Sequence, residues 1–144
     1  MYLDNCSLQR PLDDKSQVRV MLEAEAVLSV IGLSQQGAVE LVHSDALRYE
    51  IERTPNLQRK LFAIESLQSA TRHINFTERV IDRAKELEQS GIKPLDALHV
   101  ASAEEAEATF FCTCDDRLVK RLKSLSALTV TVVTPLELIQ EILP

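Results

Sequence analysis

The sequence predicts a three-layer α/β/α sandwich with a mostly parallel central sheet. Apolar runs of strand length alternate with stretches of helical periodicity along the chain, and such alternation calls for right-handed crossovers and a sheet covered on both faces. The apolar residues are mainly aliphatic. Aromatics make up 4% of the chain against 45% hydrophobic overall, which suits helices packed on a parallel sheet better than an aromatic-rich all-β sandwich. With 144 residues and neither an internal repeat nor a linker, residues 1–144 are expected to form one domain, large enough to stand without disulfides.

Each element has its own signal. Tyr2-Leu3 is a short apolar run followed by Asp4-Asn5-Cys6-Ser7, so a first strand begins almost at residue 1 and ends at Asp4. After Pro11, Asp13 and Asp14 offer N-caps for a long amphipathic helix, on which Val18, Met21, Leu22, Leu28 and Ile31 recur at helical spacing up to Gly32. Ala38-Val39-Glu40-Leu41-Val42 reads as a strand. Ser44 then caps a helix carrying Asp45, Leu47, Glu50 and Ile51, which Thr54-Pro55 breaks. Leu57, Leu61, Ile64 and Leu67 mark a further helix, and Thr77 opens another through Val80, Ile81, Ala84 and Leu87 to Gly91. Pro94 suits the first position of a helix that continues Leu95-Asp96-Ala97-Leu98-His99-Val100-Ala101. Thr109 to Thr113 is a buried strand, Asp115-Asp116-Arg117-Leu118 opens a helix, Leu128 to Val133 is a β-branched strand, and Thr134-Pro135 caps a last helix.

Composition narrows the function classes. A formal charge of -6 argues against a general nucleic-acid coat protein, which needs an excess of Lys and Arg to bind phosphates. It leaves a nuclease open, because bound cations reverse the local field around concentrated carboxylates. Cys6, Cys112 and Cys114 are an odd number without a CxxC pair, which supports neither a disulfide framework nor a zinc ribbon and fits a reducing compartment. The N-terminus lacks a basic n-region, and no apolar run approaches the roughly 18 residues of a membrane span. A soluble, cytoplasmic protein with no membrane partner is expected.

Ligands of open α/β sheets bind outside the carboxyl ends of the strands. Asp4 and Asp115 fall there, Asp96 lies in the first turn of the helix leading into the Asp115 strand, and Glu50 lies on the helix after the Ala38–Val42 run. Gathered at one edge, four acids raise one another's pKa, an arrangement poor for stability and good for a hard cation. Mg²⁺ or Mn²⁺ held by carboxylates lowers the pKa of a water and neutralises a phosphodiester, and two ions roughly 3.5 to 4 Å apart stabilise both oxygens of an in-line displacement.

The order Tyr-Leu-Asp-Asn, then Ser-Asp-Ala-Leu-Arg-Tyr-Glu, then Pro-Leu-Asp-Ala-Leu-His-Val-Ala, then Phe-Phe-Cys-Thr-Cys-Asp-Asp-Arg-Leu resembles the four acidic motifs of the PIN-domain family, in its VapC-like metal-dependent ribonucleases. Val-Val-Thr-Pro-Leu-Glu near the end also resembles that family's last strand and helix, so the resemblance spans nearly the whole chain. It implies a PIN-like fold, a Mg²⁺- or Mn²⁺-dependent endoribonuclease with an RNA substrate, and, as one role, the toxin of a toxin-antitoxin pair that homodimerises and meets a cognate antitoxin. Carried over residue by residue, it implies that Asp4, Glu50, Asp96 and Asp115 are the catalytic, metal-binding acids, with Asp116 able to assist or replace Asp115. The chain departs from the pattern in two places. Asn5 stands where the family often has Ser or Thr, and the Glu50 helix also offers Asp45 and Glu52.

Plainer readings stand beside these. Asp96 is also a favourable partner for a helix dipole, Asp115 an N-cap, and Glu50 an acid on an exposed helix face. His99, three residues after Asp96, either orients a carboxylate or is simply packed, and the cysteines of the late strand read as buried apolar groups. Arg117, Lys120 and Arg121 share a helical face that could track an RNA backbone toward the acids, or could be a solvated surface. Among rival classes, a phosphatase of this topology wants a second Asp two residues after the first, where Cys6 stands, and a receiver domain wants a phospho-acceptor Asp on a middle strand. A catalytically silent module of the same fold, binding RNA or a protein partner without metal, is the non-enzymatic alternative.

Overall fold

The computed structural model describes residues 1–143, so Pro144, the last residue of the expected domain, lies outside the described residues. Strand β1 (Tyr2–Leu3) runs straight into helix α1 (Asn5–Gln9), because the side chain of Asp4 accepts the Ser7 N–H and caps it. A single 3₁₀ turn, Arg10–Leu12, leads to helix α2 (Val18–Gln35). Strand β2 (Val42–Ser44) is followed by α3 (Asp45–Glu52) and α4 (Leu57–Ser66), then by strand β3 (Arg72–Ile74). Helices α5 (Glu78–Gln89) and α6 (Pro94–Glu105) precede strand β4 (Phe110–Cys112). The chain ends with α7 (Asp116–Lys123), β5 (Thr131–Val133) and α8 (Pro135–Ile142).

All strand pairs are parallel. Tyr2 and Leu3 stand opposite Phe111 and Cys112, and Phe110, Phe111 and Cys112 opposite Thr131, Val132 and Val133. The β2 and β3 ladder pairs Val42, His43 and Ser44 with Arg72, His73 and Ile74. The Val42 N–H donates to the Met1 carbonyl at 3.0 Å, which sets β2 beside β1 and joins the two ladders. Every crossover is therefore helical, as parallel connections demand. Helix α2 packs on α8, while α3, α4, α5 and α6 form a second connected set, and the sheet lies between helices. Tyr2 and Phe111 stack with ring centroids 5.7 Å apart at the centre of the buried core. Among the described residues no helix is long and apolar enough to cross a membrane.

Several expectations need correction. The Ala38–Val42 strand is displaced toward the C-terminus, since pairing with β3 begins only at Val42, and Ala38 and Glu40 are exposed. Strand β3 was invisible in sequence because Arg72-His73-Ile74 has no apolar alternation. Helix α2 is capped by neither Asp13 nor Asp14: its N-cap is Gln17, without a side-chain bond. Asp13 is paired with Arg10 at 3.0 Å and Arg59 at 2.9 Å, and Asp14 accepts the Ser16 N–H at 2.8 Å. The helix also runs past Gly32. Its buried face is Ala24, Ala26, Val27, Val30 and Ile31 with Glu23 and Ser34, whereas Val18, Met21, Leu22 and Leu28 are exposed. On α4, likewise, Ala63 and Ser66 face inward and Leu57, Leu61 and Ile64 outward.

Glu23 is fully buried and held by two arginines, Arg10 at 3.0 Å and Arg19 at 3.6 Å. Removing one partner of such a group strands a charge in low dielectric, which costs more than the pair itself contributes. Arg10→Met is expected to lower stability by about 3 kcal/mol, measured by urea unfolding. A change within error of zero would show that Arg19 alone neutralises Glu23.

Candidate active site

The four acids named from the sequence come from four separate elements. Asp4 follows β1, and its N–H extends the ladder by donating to the Cys112 carbonyl at 3.0 Å. Asp4 is 5% exposed. Oδ1 accepts the Ser7 N–H at 3.0 Å and the Cys6 thiol at 3.1 Å. Burial pushes this carboxyl above its usual range, while hydrogen bonds from Thr113, Cys6 and Ser7 and the charge of His99 pull the other way without cancelling it.

Glu50 is half-buried on α3. Its Oε1 receives a close hydrogen bond from His99 Nε2, and its Oε2 receives Asn5 Nδ2 at 3.3 Å. His99 is buried, and its Nδ1 lies 2.6 Å from the Tyr2 hydroxyl, which in turn lies 2.6 Å from Ser44 Oγ. His99 Nε2–H donates to the carboxylate, and Nδ1, the Tyr2 hydroxyl and Ser44 Oγ continue the hydrogen-bonded chain behind it. Burial holds the Tyr2 phenol well above its usual pKa, which keeps the donor proton in place. This relay runs from β2 through β1 to α6 and fixes the direction of Glu50.

Asp96 occupies the first turn of α6, after Pro94. Its carboxyl is raised first by burial and then by the charge of Asp4; His99 offsets part of this, and Asp115 and Glu50 add to the rise. Asp115 caps α7, its Oδ1 accepting the Arg117 N–H at 3.0 Å and the Leu118 N–H at 3.2 Å. Asp4, Glu50 and Asp115 therefore all bear electrostatically on Asp96. They do not close into a cage: among the described residues no three His, Cys, Asp or Glu side chains stand close enough together to hold an ion as they are placed.

Asp116, expected to assist or replace Asp115, is directed elsewhere. It makes a two-pronged pair with Arg19 at 2.6 and 2.5 Å, because Asp115 takes the cap and the next side chain turns toward α2. Of the basic residues expected to follow RNA, Arg117 and Arg121 line a depression of about 220 Å³ together with Lys93, Asp96 and Asp115. Lys120 is exposed on α7 outside that lining. Arg121 is steadied by a 3.1 Å bond from Nη1 to the Gly91 carbonyl. Gly91 sits at φ +91°, a turn conformation that glycine adopts without strain. A wider cleft of about 520 Å³ opens on the other side, bounded by Asn5, Tyr49, Glu50, Arg53 and Leu95 among others, with the Arg53 guanidinium 3.7 Å from the Tyr49 ring centroid.

Tyr2, Ser44 and Asn5 were not identified from the sequence as residues that place Glu50. No local spacing links them, since residues 2, 44 and 99 meet only through the parallel ladder and the packing of α6 on it. His99 carried a hint, sharing the face of Asp96.

The sequence matches the family model described as the PIN domain over residues 1–125. No curated protein matches the chain. Among solved structures, the chain is similar to one in the crystal structure of VapBC2 from Rickettsia felis bound to a DNA fragment from their promoter. The TM-score is 0.55 at 15% identity, with 92% of this chain and 96% of that chain covered. At that identity the likeness is one of fold.

A raised carboxyl pKa has a definite sign in stability. The folded state of Asp96 binds its proton more tightly than the unfolded chain does, so the fold loses stability as pH rises from the ordinary value of 3.8 through the raised one, and the loss persists above it. Asp96→Asn is therefore expected to raise the Tm at neutral pH in chelator and to leave it nearly unchanged at pH about 3, where the carboxyl is protonated in both states. Equal Tm values for the two proteins at neutral pH would show that Asp96 is unstrained.

Proposed function

Because the chain belongs to the PIN-domain family, we propose that it is a Mg²⁺- or Mn²⁺-dependent endoribonuclease that acts as the toxin of a toxin-antitoxin pair. The observation that carries this reading is the half-buried carboxyl of Asp96 in the combined field of Asp4, Glu50 and Asp115. Among the described residues, the ion pairs of the chain leave Asp4, Asp96 and Asp115 without a Lys or Arg partner. Oxygen donors that repel one another and lack an internal counter-charge fit a hard divalent cation in kind.

Asp4, Glu50, Asp96 and Asp115 would hold that ion. Bound there, it would supply charge neutralisation for a phosphodiester and a more acidic water. The chain's own residues do the rest. The Ser44–Tyr2–His99 relay orients Glu50, the α1 turn orients Asp4, and the α7 N-terminus orients Asp115. Arg117, Arg121 and Lys93, beside Asp96 and Asp115, give the RNA backbone a positive approach in an otherwise acidic molecule. Tyr49 and Arg53 line the cleft beyond Glu50.

The toxin role draws support from the fold shared with the VapBC2 chain. The outward apolar residues of α2 and α4, among them Met21, Leu22, Leu28, Leu57, Leu61 and Ile64, are the side chains a protein partner would cover. A cognate antitoxin and a second copy of the chain are the partners proposed for it.

Cleavage of a structured RNA by the purified protein is expected with Mn²⁺ and absent with chelator. Asp4→Asn and Asp96→Asn should each cut the rate by more than the roughly 100-fold seen when only an outer partner of a metal ligand is lost, with the circular dichroism spectrum unchanged. Mn²⁺ should raise the Tm of the parent protein by mass action and that of Asp96→Asn much less. Full cleavage by either variant would defeat the assignment of these acids, and RNA binding without turnover in Mn²⁺ would favour a silent binding module instead.

A further inference from the structure

The cleft beyond Glu50 is lined by two groups of side chains that are each fixed in advance. In the first, the Arg53 guanidinium lies over the Tyr49 ring at 3.7 Å from its centroid, and Nη1 donates to the Tyr49 carbonyl at 3.2 Å. In the second, Arg59 Nη1 donates to Gln9 Oε1 at 3.3 Å, Gln9 Nε2 to Asn5 Oδ1 at 3.1 Å, and Asn5 Nδ2 to Glu50 Oε2 at 3.3 Å, so a chain of amides ends on the acid. Of the two tyrosines, Tyr2 is fully buried and Tyr49 is 46% exposed. Arg59 is paired with Asp13, whereas Arg53 has no carboxylate within ion-pair distance among the described residues. We propose that this cleft is a subsite for one unpaired base of an RNA strand, which stacks on the Tyr49–Arg53 pair beside Glu50; the proposal rests on the RNA-substrate reading above.

Three observations select this occupant. The first is chemical. Bases freed from a duplex stack on aromatic rings and on guanidinium planes, and the cleft presents one of each, already in contact. Holding Arg53 by its ring contact and its carbonyl bond removes most of the ordering cost that a free arginine would bring to binding. The second is charge. In a molecule of formal charge -6, an arginine without an internal partner gives a phosphate a local counter-charge that the chain as a whole does not. The third is continuity. Glu50 lines this cleft, and Asp96 and Asp115 line the depression that holds Lys93, Arg117 and Arg121. A strand crossing the acids thus meets phosphate-binding cations on one side and a base-stacking surface on the other. A protein segment fits the cleft less well, because Leu95 and Pro55 are the only aliphatic side chains in its lining, too few to anchor the apolar face of a helix. The substrate class that follows is a single strand or an open loop, since a base inside a duplex has no free face to offer.

The chain contains no tryptophan, so Tyr49→Trp puts a single indole in the cleft and keeps an aromatic face there. In chelator, where the proposed nuclease does not turn over, a short single-stranded RNA is expected to quench the indole emission saturably. The same strand annealed into a duplex, or an abasic ribose-phosphate strand of equal charge, should not. By anisotropy of a dye-labelled strand, Tyr49→Ala should weaken binding roughly 5- to 150-fold relative to the parent, the range for losing one stacked base. Tyr49→Phe should bind as the parent does, and Arg53→Gln should bind more weakly with a shallower salt dependence. Equal quenching by the duplex or the abasic strand, undiminished affinity of Tyr49→Ala, or no saturable binding by the parent would overturn the subsite, the last of these leaving the cleft to a protein segment. RNA that binds and quenches here yet stays uncut in Mn²⁺ would uphold the subsite and defeat the nuclease reading, and cleavage in Mn²⁺ with Tyr49→Ala unimpaired would do the reverse.

Discussion

Mutual repulsion among carboxylates is the constraint against which this architecture is arranged. Asp4, Glu50 and Asp115, from distant stretches of sequence, bear on the half-buried carboxyl of Asp96, and each of the four acids receives local compensation. Asp4 and Asp115 cap α1 and α7, and Asp96 sits in the first turn of α6, so three of the four rest on the positive end of a helix. Glu50 lies instead on the body of α3 and depends on the relay through His99, Tyr2 and Ser44. Burial raises the carboxyls of both Asp4 and Asp96, and at Asp96 the charges of Asp4, Asp115 and Glu50 add to the rise.

The sheet provides the geometry and the core provides the rigidity. Tyr2 serves both, stacking on Phe111 with its ring while its hydroxyl enters the relay. A residue placed this way links packing to the site, because a shift of β1 against β4 would move Asp4 and Glu50 together. The buried Glu23 pair acts away from the acids, where it anchors the Arg10 turn and the start of α2. Arg19, which Glu23 shares with Asp116, draws that aspartate away from the acid cluster.

Local chemistry in the sequence made much of this legible. Ser44, Thr77, Thr134 and Asp115 all act as caps, and Pro94 opens α6, because capping depends on a few adjacent residues, whereas Asp13, drawn to Arg59, caps nothing. The strand through Phe110 and Phe111 declared itself by being buried on both faces. What failed depends on partners far away in sequence. Apolar residues lie on more than one side of α2 and α4, so periodicity found the helices and misjudged their inward faces; Ala24, Ala26 and Ala63 pack while the larger Met21, Leu22 and Leu61 do not. Strand β3 gains its identity only by pairing with β2. Between adjacent Asp115 and Asp116, no spacing rule states which side chain caps a helix and which meets Arg19. The order of the four acids was readable, whereas the relay behind Glu50 was not.

We propose that Asp4, Glu50, Asp96 and Asp115 share one space that a divalent cation would fill. Paramagnetic broadening tests it most directly, by adding substoichiometric Mn²⁺ to isotopically labelled protein and following the carboxyl and neighbouring amide resonances. Signals of these four residues are expected to broaden together, ahead of those of Asp116 and the acids on the outer helix faces. Broadening that begins at scattered surface acids, with residues 4 and 96 unaffected, would contradict it.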